Sequence, residues 1–329
     1  MTTARRDIVD LNVTRYYHTI SKCVRGAHLC GGIYEHRKVW LEKRLEFLAS
    51  QFAVSVASFV IMDNHLHVLV RLDPENVDKW SDEEVAKRWL TLCTPRGLDL
   101  NDGKKLNKWV RKYTDEPERI EEYRERLGDM GWFMKLLKEP LARQANKDDD
   151  VNGVFWDGRY KSIAVIEEEA LLATCAYIDL NPLAAGMAAL PETSRYTSVR
   201  QRVRHFHQKN QHKQLKMARQ GSVAASRKIG NAEQDHWLIP FEDRRPHTNC
   251  RPSSKREGML EKFTLGNYLL LIDYTSRMFR EGKARVKDGI QPIFDRLETN
   301  LELWAGKVQS MLSLKKLRGH RFASSELRP

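Results

Sequence analysis

The sequence predicts an α+β fold: a ferredoxin-like antiparallel sheet with helices, a helical insertion, and then a small helical C-terminal module. Three observations predict it. Apolar residues alternate at period two on either side of a short turn at Asp63-Asn64. One amphipathic helix separates the first strand from the second. Charge-rich helical periodicity then takes over from about residue 75 to 150, and an apolar helical pattern returns past residue 237.

The elements follow in order. Residues 14–24, from Thr14 to Val24, are rich in aromatic and β-branched side chains and read as a first strand. Arg25-Gly26 and Cys30-Gly31-Gly32 mark loops. A helix follows over 36–51, with Trp40, Leu41, Leu45, Leu48 and Ala49 near 3.6-residue spacing and basic residues opposite. Residues 54–61 form a strand, and after the turn a second strand opens with His65 and His67. Strand, helix, strand, strand is the front half of a split βαβ arrangement.

The insertion reads as two helices, 77–93 and 116–146, with Trp132, Phe133, Leu136, Leu137 and Leu141 as one buried stripe. It is either a helical insertion or an elongated arm, and Pro140 is expected to kink or break its second helix. Asp157-Gly158 marks a turn before a strand ending at Ile166. Glu167, Glu168 and Glu169 start a helix whose N-terminus they suit electrostatically. Asn181-Pro182 is expected to interrupt it, with Asn181 able to cap a short following helix.

From Ser198 to Lys228 the chain reads as a solvated basic helix passing into a linker, and 265–279 and 290–314 read as helices with a basic tail over 315–321. The expected division is therefore 1–200, a basic linker over 201–236, and a helical module over 237–329.

Composition narrows the function. The chain has 329 residues, 41% hydrophobic and 30% charged, ordinary for a globular protein. No apolar run reaches the roughly 18 residues a membrane helix needs, and the polar N-terminus lacks the apolar stretch of a signal peptide. The five cysteines are scattered without a CxxC pair, which argues against a zinc ribbon or a disulfide framework and for a cytoplasmic, nucleoid-associated location. The net charge of +12 points to an anionic partner, nucleic acid first and a membrane surface second.

The chemistry-bearing stretch is Asp63-Asn64-His65-Leu66-His67. Residues two apart on a strand share a face, so His65 and His67 stand side by side with Leu69 and Arg71, while Leu66, Val68, Val70 and Leu72 face a core. Two neighbouring imidazoles can hold a divalent metal, or they can be surface histidines on an edge strand. A second such pair, His205-Phe206-His207, sits in a helical context, where residues two apart diverge by about 200°.

With Tyr177-Ile178-Asp179-Leu180-Asn181-Pro182 downstream, the chain resembles the single-tyrosine HUH transposases (His-hydrophobic-His), the insertion-sequence-200-like group. The Tyr-Ile-x-x-Asn-Pro form is most similar to the REP-associated tyrosine transposases. The Tyr17-His18 strand and Gly158-Arg159-Tyr160-Lys161-Ser162 fit the same pattern, and the resemblance covers roughly residues 12–200. The insertion is longer than in compact members of that group.

The resemblance implies that Tyr177 attacks a phosphodiester of single-stranded, hairpin-bearing DNA, leaving a 5′-phosphotyrosine and a 3′-OH. It implies Mg2+ or Mn2+ as the cofactor, with His65, His67 and Asn181 as ligands, and a monomer or homodimer. Lys22, Arg25, Arg159 and Lys161 are candidate phosphate contacts, or simply solvated charges. By pattern alone Tyr177 is a packed aromatic, Asn181 a cap, His18 a packing histidine or one that orients a metal ligand, and Asn64 a turn residue. The rival functions are a domesticated DNA-binding protein that no longer cuts, and a replication-initiator-type HUH nuclease. Unperturbed imidazoles predict that activity falls as pH drops through about 6.5.

Overall fold

The computed structural model describes residues 9–188, 190–209, 213, 214, 217, 221–245, 256–261 and 263–278. Strands β1 (Tyr16–Lys22), β2 (Val54–Ile61), β3 (His65–Leu72) and β4 (Lys161–Val165) form one antiparallel sheet in the order β2-β3-β1-β4. Helix α1 (Glu35–Gln51) joins β1 to β2, and β3 lies between them. That is the strand order of the split βαβ arrangement, and the fold is α+β.

The period-two pattern decides which face each side chain joins. Tyr17, Leu66, Val68, Val70 and Leu72 pack on one face with Leu41, Leu45 and Leu48 of α1. Ile20, Val60, Leu69, Ile163 and Val165 pack on the other with α7 (Glu168–Ala184). Helices therefore cover both faces.

Between β3 and β4 run α2 (Pro74–Asp78), α3 (Asp82–Leu92), α4 (Gly103–Thr114), α5 (Pro117–Gly128) and α6 (Met130–Asp148). This segment is not an extended arm. Phe133, Leu137 and Leu141 of α6 share a core with Val56 and Val68 of the sheet. Helix α4 was not expected, although Leu106, Trp109, Val110 and Tyr113 are helically spaced, and Asp102 caps it by accepting from Lys104 N and Lys105 N at 3.1 Å. The expected helix over 116–146 is divided at Gly128-Asp129, where Asp129 accepts from Trp132 N at 2.7 Å and starts α6.

Neither proline breaks its helix. Pro140 lies inside α6, which runs on to Asp148. A proline cannot donate to the carbonyl four residues back. That carbonyl belongs to Leu136, and it accepts instead from Arg44 Nε of α1 at 3.2 Å. Pro182 likewise lies inside α7, which continues to Ala184. Only the Ile178 carbonyl loses its helical donor there. Asn181 and Leu183 carbonyls still accept from Ala185 N and Gly186 N, both at 3.0 Å. Asn181 is thus a helical residue one turn beyond Tyr177, not the cap of a separate helix.

Among its described residues, the stretch read as a solvated helix packs one face of that helix inward. In α8 (Ser198–Gln208), Val199, Val203 and Phe206 are buried at helical spacing. So is Arg202, which donates to Glu233 Oε1 at 2.6 Å, to Ile239 O at 2.7 Å and to Ala57 O at 3.0 Å. Helix α9 (Val223–Ala232) buries Ile229, and α10 (Leu265–Met278) joins the core that holds α7. The described part of the C-terminal segment therefore does not stand apart from the sheet. The expected helix over 290–314, the basic tail and Cys250 lie outside the described residues. Among the described residues, no helix is long and apolar enough to cross a membrane.

Candidate active site

Antiparallel register builds one side of the site. His18 of β1 pairs with Leu69, Ile20 with His67, and Lys22 with His65, so all six share the face that α7 covers. Lys161 of β4 pairs with Ile20 and joins the same row as His67. The turn that presents His65 is closely held. Cys23 N donates to Asn64 O, and Cys30 N to Asp63 O, each at 2.8 Å. A Cβ on Gly31 would overlap the Asp63 side chain, so any larger residue there would displace that carboxyl. Lys38 also donates to that carboxylate at 2.5 Å.

The continuous α7 supplies the other side. Tyr177 and Asn181 are four residues apart and share a helix face. The Tyr177 ring lies 5.4 Å from His67 and 6.1 Å from His18, centroid to centroid, edge-on in both cases. The Asn181 side chain lies beside both His65 and Tyr177, favouring the protonated form of His65 and the ionised form of Tyr177. Four residues separated by up to 116 positions thus converge on one point, although Asn181-Pro182 read locally as a helix break.

The imidazoles are oriented by partners other than one another's ligand atoms. His65 Nδ1 donates to Asn64 Oδ1 at 2.6 Å, which leaves Nε2 with its lone pair. His67 Nδ1 meets His18 Nε2 at 2.9 Å, which leaves His67 Nε2 available. Burial holds all three rings neutral. It lowers His18 to about 3, and with Lys22 nearby lowers His65 to about 4. Burial, then His18, His65 and Lys22, holds His67 well below the ordinary histidine value. Neutral imidazoles with the second nitrogen pinned are the form in which histidine binds metals. The nitrogens of His65 and His67 turned away from Asn64 and His18, with the Asn181 amide beside His65, are a donor set that fits a divalent cation and leaves room for phosphate oxygens.

Tyr177 is half-buried, and burial raises its phenol above the usual value, while Asn181 pulls the other way. The candidate phosphate contacts are exposed. Lys22 and Lys161 flank the histidine row through the register just described. Asp157 N donates to Lys22 O, and Val24 N to Phe155 O, so the loop carrying Arg159 adjoins that end of β1. Arg25 sits in the loop beyond β1 with φ +54°. No contact among those described joins Arg25 or Arg159 to the histidines.

Asp73, Glu75 and Glu257 form another group whose ligand atoms are near enough to share an ion. Arg15 is paired with all three, and Arg71 donates to Asp73 at 2.8 Å. Two guanidinium groups already hold these carboxylates. Of the second H-x-H pair, which a helix spreads too far apart to share an ion, the His205 side chain has partners of its own. His205 Nε2 lies 3.2 Å from the Ala232 carbonyl, and its ring packs 4.8 Å from His236.

Two residues here acquire roles the sequence did not suggest. Asn64 orients His65 and ties it to the neighbouring loop by donating to Gly26 O at 3.1 Å. Asp179, between Tyr177 and Asn181, anchors α7 from its buried side. Its position in the motif was the available signal, but its partners lie 19 to 89 residues away.

No protein-family model matches the chain, and no curated protein matches it. A solved structure of a REP-associated tyrosine transposase bound to a REP hairpin aligns with 62% of this chain and 86% of that one, at 12% identity and a TM-score of 0.36. That is a distant likeness.

Proposed function

We propose that the chain is a metal-dependent DNA strand transferase in which Tyr177 is the nucleophile. The observation that supports this reading is the convergence of Tyr177 and Asn181 on one helix face with the two oriented, neutral imidazoles of His65 and His67. A nucleophile, a set of uncharged nitrogen and oxygen donors, and exposed lysines on the rim are the parts that phosphodiester transfer requires.

The chain's own residues do the following. Asn181 holds the phenol and one imidazole in a fixed relation. Lys22 and Lys161 draw the backbone of the strand to the rim. Tyr177 Oη attacks phosphorus, the bond to the 3′-oxygen breaks, and the phenol proton ends on the released 3′-OH. A later 3′-OH reverses the step, so the energy of the cleaved bond is conserved and no nucleotide cofactor is consumed. His65, His67 and Asn181 would hold Mg2+ or Mn2+, which would polarise the scissile phosphate and favour the ionised phenol. The motif resemblance directs this chemistry to single-stranded, hairpin-bearing DNA and hence to transposition.

The test uses single-stranded oligonucleotides covering the DNA that flanks the gene, with Mg2+ or Mn2+. A protein–DNA adduct that survives denaturation, and that is lost in Tyr177→Phe while oligonucleotide binding persists, is expected. An adduct of equal yield in Tyr177→Phe would place the nucleophile elsewhere.

A further inference from the structure

Strand β2 is an edge of the sheet. Helix α1 covers one face and α8 packs on the other, and beyond β2 the two helices leave a groove of about 350 Å3. That is within the usual range for ligand clefts, about 300–1,000 Å3. Its lining includes Lys43 from α1, Arg195 from the turn before α8, and Arg200 and Arg204 from α8, against one lining acid, Glu42; Arg195 is also ion-paired with Glu35 at 2.9 Å. All four cations are exposed. Glu42 is half-buried, and burial raises its carboxyl above the usual value while Gln201 and Arg204 oppose that shift. The groove is therefore strongly cationic.

Its mouth is fastened to the proposed active site. Tyr196 lines the groove, and its carbonyl accepts from Ile61 N at 3.0 Å, at the end of β2. Thr197 bridges to Val60, which pairs with His67. Ser198 and Val199, the first residues of α8, are held by Asp179 of α7. Tyr196 has φ +59°, a strained conformation for a residue with a side chain. It is held there by the bond from Ile61 and by its hydroxyl, which donates to Glu35 at 2.9 Å. This turn leaves Arg195 on the rim and starts α8 along the groove. Arg200 and Arg204 follow, one turn apart, with Cβ atoms about 5–6 Å from each other.

We propose that the groove between α1 and α8 is a binding track for the phosphate backbone of single-stranded DNA, continuous with the Tyr177 site. The ligand is a run of consecutive phosphates, which a line of cations with apolar stems on two helix rims can follow. The cationic track stands on its own charge and shape, and only its connection to cleavage rests on the strand-transferase reading.

The experiment measures equilibrium binding of a fluorescent single-stranded oligonucleotide to the full chain over a salt series, for wild type and Arg200→Ala/Arg204→Ala. Each phosphate contact on a single strand contributes about 0.7 to the slope of log K against log salt, or about fivefold in affinity near 0.1 M salt. The double variant should bind about 25-fold more weakly there, with the slope reduced by about 1.4. Arg200→Lys/Arg204→Lys should recover most of the affinity, because it restores the charge. A double alanine variant that melts like wild type and binds with the same affinity and slope would overturn the track. So would a wild type that binds anionic phospholipid vesicles but not the oligonucleotide. Binding that is lost in the double variant, from a wild type that forms no adduct, would keep the track and remove the strand-transferase reading.

Discussion

Asp179→Ala should loosen the helix that carries both Tyr177 and Asn181. Asp179 is 1% exposed. One carboxylate oxygen accepts from Ser198 Oγ at 2.6 Å and Val199 N at 2.9 Å, and the other from Tyr268 Oη at 2.7 Å. One side chain thus joins α7 to α8 and α10. Truncation to alanine strands three donors. Ser198 has an alternative, since its hydroxyl also lies 2.8 Å from Ser58 Oγ. The Val199 amide and the Tyr268 hydroxyl have lost their acceptor inside the core. A buried unsatisfied donor costs about 1–3 kcal/mol, so the pair predicts a loss of about 2–6 kcal/mol. Against a total of about 5–15 kcal/mol for a folded domain, that is a large fraction.

Asp179→Asn should cost less, because its amide oxygen can still accept from Ser198 and Val199 while its NH2 donates to the Tyr268 oxygen. The same pair separates on pH. Burial raises the Asp179 carboxyl above its ordinary value, and the bonds from Ser198, Tyr268 and Val199 only partly oppose this. The wild type therefore loses stability as pH rises from about 3.8 towards the folded value, because only the unfolded chain ionises freely there. Asp179→Asn lacks that dependence. Urea unfolding of the three proteins, at several pH values, measures both effects. An alanine variant within about 0.5 kcal/mol of wild type would refute the anchoring argument, since that is the scatter of neutral surface substitutions.

Two other outcomes follow from the histidines. Burial keeps His65 neutral down to about pH 4 and His18 to about pH 3, so manganese binding followed by calorimetry should persist at pH 5. This replaces the fall through 6.5 that unperturbed imidazoles would give. The sign reverses for stability, because the unfolded chain takes up protons below about 6.5 and the folded one does not. The melting temperature should thus decline as pH falls from 6.5 towards 4, and a flat melting profile across that window would count against buried neutral rings. Asn64→Ala frees the His65 ring, and loss of such an orienting partner typically weakens metal affinity about 10- to 100-fold. Calorimetric titration with Mn2+ checks it, and an unchanged affinity would return Asn64 to a turn residue.

Much of the site was legible because strand geometry is local. Period two alone put His65, His67, Leu69 and Arg71 on one face and Leu66, Val68, Val70 and Leu72 on the other. The spacing of Tyr177 and Asn181 allowed one shared helix face. What spacing could not decide was whether Pro182 ended the helix between them and the core. A proline costs one hydrogen bond and some steric relief, and the packing of α7 on the sheet outweighs that near a helix end. At Pro140 the answer lay about a hundred residues upstream in the chain, with the Arg44 side chain that takes the freed Leu136 carbonyl.

Burial of charge was equally out of reach. Arg202 sits in a segment dense with Arg, Lys, Gln and His, and composition alone favours solvent for such a stretch. Its burial depends on Ala57 of β2 and on Glu233 and Ile239, which reach it from two distant segments. The sequence by itself determined the strands, the histidine face, the tyrosine helix and the positive charge, since each follows from periodicity or composition within a short window. Only the tertiary structure decided that α7 runs unbroken, that His18 and Asn64 hold the two imidazoles in place, and that α1 and α8 bring their cations to one edge of the sheet. Apart from the neighbouring Asn64 and His65, those outcomes depend on hydrogen bonds and packing between residues tens of positions or more apart, where no local pattern carries the information.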